Sequence, residues 1–421
     1  MAANEGHAGN EQALRDMVKG AVARAPVTDI HTHLYAPAFG PLLLWGIDEV
    51  ITYHYLIAEF FRASDMPYDT FWALGKRAQA DAIWKTLFLE QTPLSEACRG
   101  VITVLRKLGL DVASRDLDAY RAWFAAQETE AQVNRVFGTA GLQDVVMTND
   151  PFDDAERPVW ERAEGGDARF HAALRIDPLL NDWKHGHARL QGWGYQTDAG
   201  LSPRALAETR RFLEDWARRM NARYMAVSLP PDFAFPEDSP RAKLIAEAVL
   251  PVARERNIPF AMMIGVTRQV NPALRLAGDG VGTADVTAVE RLCAAFPKNK
   301  FMLTMLAREN QHACCVAARK FRNLLVFGCW WFLNDPILIE EITRMRLELI
   351  GPAVIPQHSD ARVLEQVIYK WDHSREIIAR VLADKYCDLS RAGWAVTEEE
   401  VTRDVADLFG GRFWRFLEYA P

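Results

Sequence analysis

Val27-Thr-Asp-Ile-His31-Thr-His33 is a short run of β-branched and apolar residues that ends in two histidines. Side chains two apart on a strand share a face, so both imidazoles converge on one point. Seven further runs of this kind follow Val27–His31: Gln143–Thr148, His171–Ile176, Tyr224–Leu229, Pro259–Gly265, Lys300–Met305, Leu324–Cys329 and Ala353–His358. Segments with helical periodicity and charge separate most of them. This alternation predicts an α/β fold with a parallel sheet, and eight is the number of strands that closes a (β/α)8 TIM barrel.

One gap is abnormal. More than a hundred residues separate the first run from the second, far beyond an ordinary crossover. Leu42–Ala140 is therefore expected to be a helical subdomain inserted into a single barrel domain spanning residues 1–421. Its apolar residues recur at helical spacing in Tyr53–Arg62 and Phe71–Leu89. The first two dozen residues read as a loose start running into a short amphipathic helix around Glu11–Val22. After the eighth run, Asp360–Tyr386 is helical by pattern. Ser390–Pro421 carries the helix-start signature Thr397-Glu-Glu-Glu and an aromatic cluster at Phe413, Trp414 and Phe416.

The 421 residues are 49% hydrophobic and 25% charged, which excludes a disordered chain and suits an enzyme with a large core. Lys and Arg number 49 against 56 Asp and Glu, so no global field would attract nucleic acid or an anionic membrane. An anionic ligand must be held by local arginines. No apolar run is long enough to span a bilayer. The six cysteines lack metal-ligand spacing and the N-terminus does not read as a signal peptide, so reduced thiols and a cytoplasmic location are expected.

Two histidine nitrogens at a strand end suit zinc, manganese, iron or nickel. The alternative is a pair satisfied by hydrogen bonds. His358-Ser-Asp360-Ala-Arg362, where the eighth run gives way to a helix, offers an anionic third ligand and leaves positions open for water or substrate. Taken alone, Asp360 reads as a helix cap. Arg175, Arg268 and Arg362 each lie at or after the C-terminal end of a run. Singly they would be surface residues, but three on one rim suggest a clamp for a carboxylate. Trp330 and Trp331 read either as packing or as a cover for a substrate face.

His-x-His on the first strand with Asp after the eighth resembles the amidohydrolase superfamily, and further segments resemble its uronate isomerase branch. Thr148-Asn-Asp150-Pro is similar to the family's Thr-Thr-Asp-Asp-Pro, and Leu174-Arg175-Ile-Asp177 to its Phe-Arg-Pro-Asp. Phe327-Gly-Cys-Trp330-Trp331-Phe-Leu-Asn334-Asp335 is similar to its Gly-x-x-Trp-Trp-Phe-Asn-Asp, and Ser359-Asp360-Ala-Arg362 to its Thr-Asp-Ser-Arg. His54-Tyr55 resembles its Asp-His-Tyr, and His373-Ser-Arg375 matches loosely.

The resemblance implies a metal-dependent barrel that interconverts D-glucuronate or D-galacturonate with the ketouronate, D-fructuronate or D-tagaturonate. It implies a divalent metal, zinc being expected, on His31, His33 and Asp360. His54 and Asp360 would open the sugar ring, and Tyr55 would carry the proton from C2 to C1 through an enediol. Arg175 would stabilise the enediolate, Arg268 and Arg362 would hold the carboxylate, and Trp330 would line the site. The expected partner is a small sugar acid, with no nucleic acid and no membrane; a homo-oligomer stays open. Two other readings remain: a metal-dependent hydrolase of a sugar-acid ester, lactone or amide, and a non-catalytic sugar-acid binder.

Two positions depart from the family pattern. Ala261-Met-Met263-Ile-Gly265 stands where the family has Gln-Leu-His-Ile-Gly, so an imidazole is missing. His358 stands where an apolar residue is expected. It either returns a polar group to the site, as an extra member of the metal or substrate shell, or caps the strand end.

Overall fold

The computed structural model of the chain describes residues 2–162, 166–419 and 421. Seven parallel strands form one curled sheet: β1 (Val27–Thr32), β2 (Leu142–Asn149), β3 (Phe170–Arg175), β4 (Met225–Leu229), β5 (Phe260–Ile264), β8 (Phe301–Met305) and β9 (Leu324–Val326). They follow one another in the order β1-β2-β3-β4-β5-β8-β9. Two short strands, β6 (Val266–Thr267) and β7 (Gly280–Val281), pair antiparallel as a separate hairpin. The main strands are buried on both faces because helices pack outside and side chains fill the interior, which is why they read as nearly continuous apolar runs. On β5, Ala261 and Met263 enter the interior core with Ile30, Val146, Ala226, Met302 and Phe327. Phe260, Met262 and Ile264 pack outward in the layer against the helices.

The eighth run does not form a regular strand. Residues 353–358 make a single parallel bridge, Ile355 to Phe327. Pro356 in that run has no N–H to donate to a ladder. Side chains supply the missing pairing. Gln357 Oε1 accepts the Cys329 N–H at 2.9 Å, and the buried Asp29 carboxylate accepts the Ser359 N–H at 3.1 Å and the Trp371 indole N–H at 2.8 Å. The ring then closes through Asp360 N–H to His31 O at 3.2 Å and His33 N–H to Ala361 O at 2.8 Å. The barrel therefore has seven strands and one irregular stave, and that stave carries Asp360.

Between β1 and β2 the chain builds helices from Ile47–Ile51 to Thr129–Ala140. Ile51, Phe60, Phe71, Ile83, Val101 and Leu105 form a core of their own there. The last of these helices, Thr129–Ala140, contributes Val133, Val136 and Phe137 to the barrel's outer core. The N-terminus is not a loose start: Ala2–Arg24 is one helix that packs on the long helix Gln366–Arg391. Thr397 and Glu400 form the expected capping box. The terminal helix Arg412–Glu418 then turns Phe413 and Phe416 into the bottom of the barrel interior.

Candidate active site

At the C-terminal ends of the strands lies a cavity of about 240 Å³. Active sites of this architecture assemble at that end. His31, His33, His54, Arg175, Arg268, Trp330, Asp360 and Arg362 all line it, together with Met263. β1 slips its register against β2 between Asp29 and Thr32, so Ile30 fills the interior core while the adjacent His31 still reaches the cavity. Asp360 enters with φ of 55°, a left-handed conformation that Asp tolerates better than most residues.

His31 Nε2 and His33 Nε2 each stand 3.5 Å from Asp360 Oδ1. One ligand atom from each of the three residues lies within 4.8 Å of the others. Hydrogen bonding fixes the tautomers. The Tyr224 hydroxyl gives its single hydrogen to Ile30 O at 2.8 Å, so it accepts from His31 Nδ1 at 3.2 Å. Thr148 Oγ1 gives its hydrogen to Thr32 O at 2.6 Å, so it accepts from His33 Nδ1 at 3.1 Å. In each neutral imidazole the Nε2 lone pair therefore faces the carboxylate. Burial lowers the His33 pKa, which favours that neutral form.

Two lone pairs and an anion then share one small space. His31 Nε2 and Asp360 Oδ1 are buried without a partner, which is costly unless a cation sits among them. The donor set, two imidazoles and a carboxylate with oriented rear hydrogen bonds, fits a divalent metal.

Around this centre stand three guanidinium groups. Arg175 pairs with Asp177 at 2.9 Å, and that carboxylate raises its pKa further. Arg268, more than half exposed, pairs with Asp279 across the β6–β7 hairpin at 2.5 Å. Arg362 has no carboxylate within ion-pair distance among the described residues. A larger cavity of about 840 Å³ lies at the opposite end of the barrel, lined by Arg375 and the ends of helices Ala2–Arg24 and Thr129–Ala140. No metal-ligand group converges there among the described residues.

The cavity also includes Tyr53, Asp177, Ser228, Asp279 and Trp331, none of which the sequence had singled out as site residues beyond the choice between the two tryptophans. Trp331 is turned by φ of 47°, stands edge-on to His54 at 5.5 Å, and has an unpartnered indole N–H. Tyr55 is not among the lining residues. Its ring lies 4.4 Å from His54 and 5.1 Å from Tyr53, and Lys370 Nζ lies 5.6 Å from its centroid. Burial raises its phenol well above the ordinary value. Burial likewise lowers His54 to about 4.

His358 is fully buried, with its ring 5.2 Å from His31 and 5.4 Å from Phe327, and neither nitrogen has a partner. It lies behind His31, outside both the lining and the metal-ligand trio. Burial lowers its pKa to about 3. A Cβ on Gly328 would fall 1.6 Å from His358 Nδ1, so this glycine makes room for the ring.

A curled parallel barrel with His-x-His at the first strand end and Asp on the eighth stave is an enzyme scaffold of the amidohydrolase type that carries a candidate metal-binding group. No protein-family model and no curated protein sequence matches the chain. Among solved structures, the uronate isomerase of Bacillus halodurans C-125 is 57% identical over 97% of both chains, with a TM-score of 0.96. The chain belongs to the uronate isomerase family. Two more distant structures share the fold: the uronate isomerase of Thermotoga maritima (16% identity, 96% of this chain and 97% of that one, TM-score 0.75) and the glucuronate isomerase of Caulobacter crescentus (14%, 97% and 95%, TM-score 0.76). The six cysteines are unpaired and buried, and no helix among the described residues is long and apolar enough to cross a membrane.

Proposed function

We propose that this chain isomerises a hexuronate, D-glucuronate or D-galacturonate, to the corresponding ketouronate. The observation that carries the reading is the meeting of a two-histidine, one-carboxylate trio with three arginines in one cavity, in a chain 57% identical to a uronate isomerase. His31, His33 and Asp360 would hold a divalent metal, zinc by our reading. When bound, such an ion polarises a carbonyl or hydroxyl oxygen and stabilises developing negative charge.

The other side chains act on the sugar. Arg362 and Arg268 bind the carboxylate, for which a guanidinium fork is suited. His54 and Asp360 move the protons that open the ring. Tyr55 takes the C2 proton and returns it to C1, and Arg175, held by Asp177, meets the charge that the enediolate gathers. Trp330 covers one face of the sugar. The resemblance supports Tyr55, while Tyr53 and His54 form the cavity wall, so two phenols are to be compared.

Conversion of D-glucuronate and D-galacturonate by the metal-loaded protein, followed by chromatography, tests the function. Tyr55→Phe is expected to lower kcat at least ~100-fold and Tyr53→Phe much less. The reverse order would move the base to Tyr53, and no conversion by the wild-type protein of either uronate would remove the isomerase reading.

A further inference from the structure

Lys370, on the helix Gln366–Arg391, is 4% exposed. Its ammonium donates to Glu96 Oε1 at 2.7 Å and to the Asn334 carbonyl at 3.0 Å. The two anchors come from different parts of the molecule. Glu96 opens the helix Glu96–Lys107 of the insert, and Asn334 follows the turn Trp331–Leu333. The Asn334 side chain is tied in turn to the eighth stave, donating to His358 O at 3.2 Å and Ser359 O at 3.1 Å. A lysine ammonium is ordinarily a point charge on a flexible stem, but here it is fixed 5.6 Å from the ring centroid of Tyr55 and 5.0 Å from that of Tyr369. The other groups facing Tyr55 do not favour a negative charge on it. Tyr53, Tyr369, Glu96 and Asp360 are phenols or carboxylates and oppose it. His54 is kept neutral by burial, as is His373, whose Nδ1 lies 3.9 Å from Glu96. Among the described residues, Lys370 is the one cation set over the Tyr55 ring.

We propose that Lys370 is a positioning residue for the proton transfer, its fixed ammonium favouring the phenolate of Tyr55, the form that takes a proton from C2. A cation over an aromatic face counts for most where water is excluded, as it is at this buried position. Glu96 holds the ammonium in place but is itself an anion. The two halves of the ion pair therefore act on the phenol in opposite directions, which a purely structural strut between insert and barrel would not do. The inference rests on the reading of Tyr55 as the base.

The test is a kinetic cycle on metal-loaded protein with a hexuronate at one neutral pH, using Lys370→Gln, Glu96→Gln, Tyr55→Phe and the Lys370→Gln/Tyr55→Phe double variant. Gln at 370 keeps N–H donors and removes the charge. Lys370→Gln is expected to lower kcat about 10-fold with KM within about twofold, and to add almost nothing in the Tyr55→Phe background. Glu96→Gln is expected to keep kcat at or above that of the wild type. If Lys370→Gln does not fold alone, Glu96→Gln/Lys370→Gln leaves no unpaired charge and should show the same 10-fold loss relative to Glu96→Gln. If Tyr55→Phe loses kcat while Lys370→Gln keeps it, the role of Lys370 is overturned and Tyr55 stands as the base. Equal losses in Lys370→Gln and Glu96→Gln, full additivity with Tyr55→Phe, or a change confined to KM also overturn it. An unchanged kcat in Tyr55→Phe overturns both.

Discussion

At the scale of single residues, the site depends on atoms that do not touch substrate. Tyr224 and Thr148 each spend their one hydroxyl hydrogen on a backbone carbonyl and so fix the tautomers of His31 and His33. Tyr224→Phe removes the acceptor behind His31 and should weaken metal binding about 10- to 100-fold with little change in fold, read by competition with a chelator. Unchanged affinity would show that the ring needs no such support. His31, His33 and Asp360 were legible in the sequence because two-residue spacing on a strand is a local rule. Tyr224 was not, since it lies 193 residues from His31 and only barrel closure brings them together. The same holds for Tyr53 and Trp331, whose directions are set by an irregular helix start and a positive φ rather than by any period.

At the scale of elements, seven of the eight expected runs form strands, because buried parallel strands leave a plain apolar signature. The eighth keeps its place but not its hydrogen-bond ladder. Pro356 in the sequence was the available sign of this, and Asp29 is the residue that compensates for it. Asp29→Ala would leave the Ser359 N–H and the Trp371 indole buried without an acceptor, at a cost of about 2–5 kcal/mol in chemical denaturation. Asp29→Asn keeps an acceptor oxygen and should cost less. Because the same stave carries Asp360, metal retention should fall in the order wild type, Asn, Ala; equal retention in all three would separate the stave from the site. Gly328→Ala should be severe as well, since its φ is 64° and the new methyl would strike His358.

Across the whole molecule, buried carboxylates tie stability to pH. Burial raises Glu365 to about 7 from a usual 4.5, despite hydrogen bonds from Gln132 at 2.9 Å and the Gly46 N–H at 3.1 Å. A carboxyl that holds its proton more tightly when folded stabilises fully below its unfolded pKa, and that contribution is lost as pH rises from 4.5 to about 7. Glu365→Gln should therefore flatten the fall in melting temperature over that interval, and an unchanged slope would place the titration elsewhere. Function rests on a larger assembly, the cavity shared by strand ends, insert and irregular stave. Its chemistry is read by proton NMR of a hexuronate in deuterated water with metal-loaded protein. The ketouronate should appear with deuterium at C1, and the uronate reformed from the enediol should gain deuterium at C2; both should vanish in Asp360→Asn. Binding with neither exchange nor conversion, or cleavage of a lactone without exchange, would contradict an isomerase built on these residues.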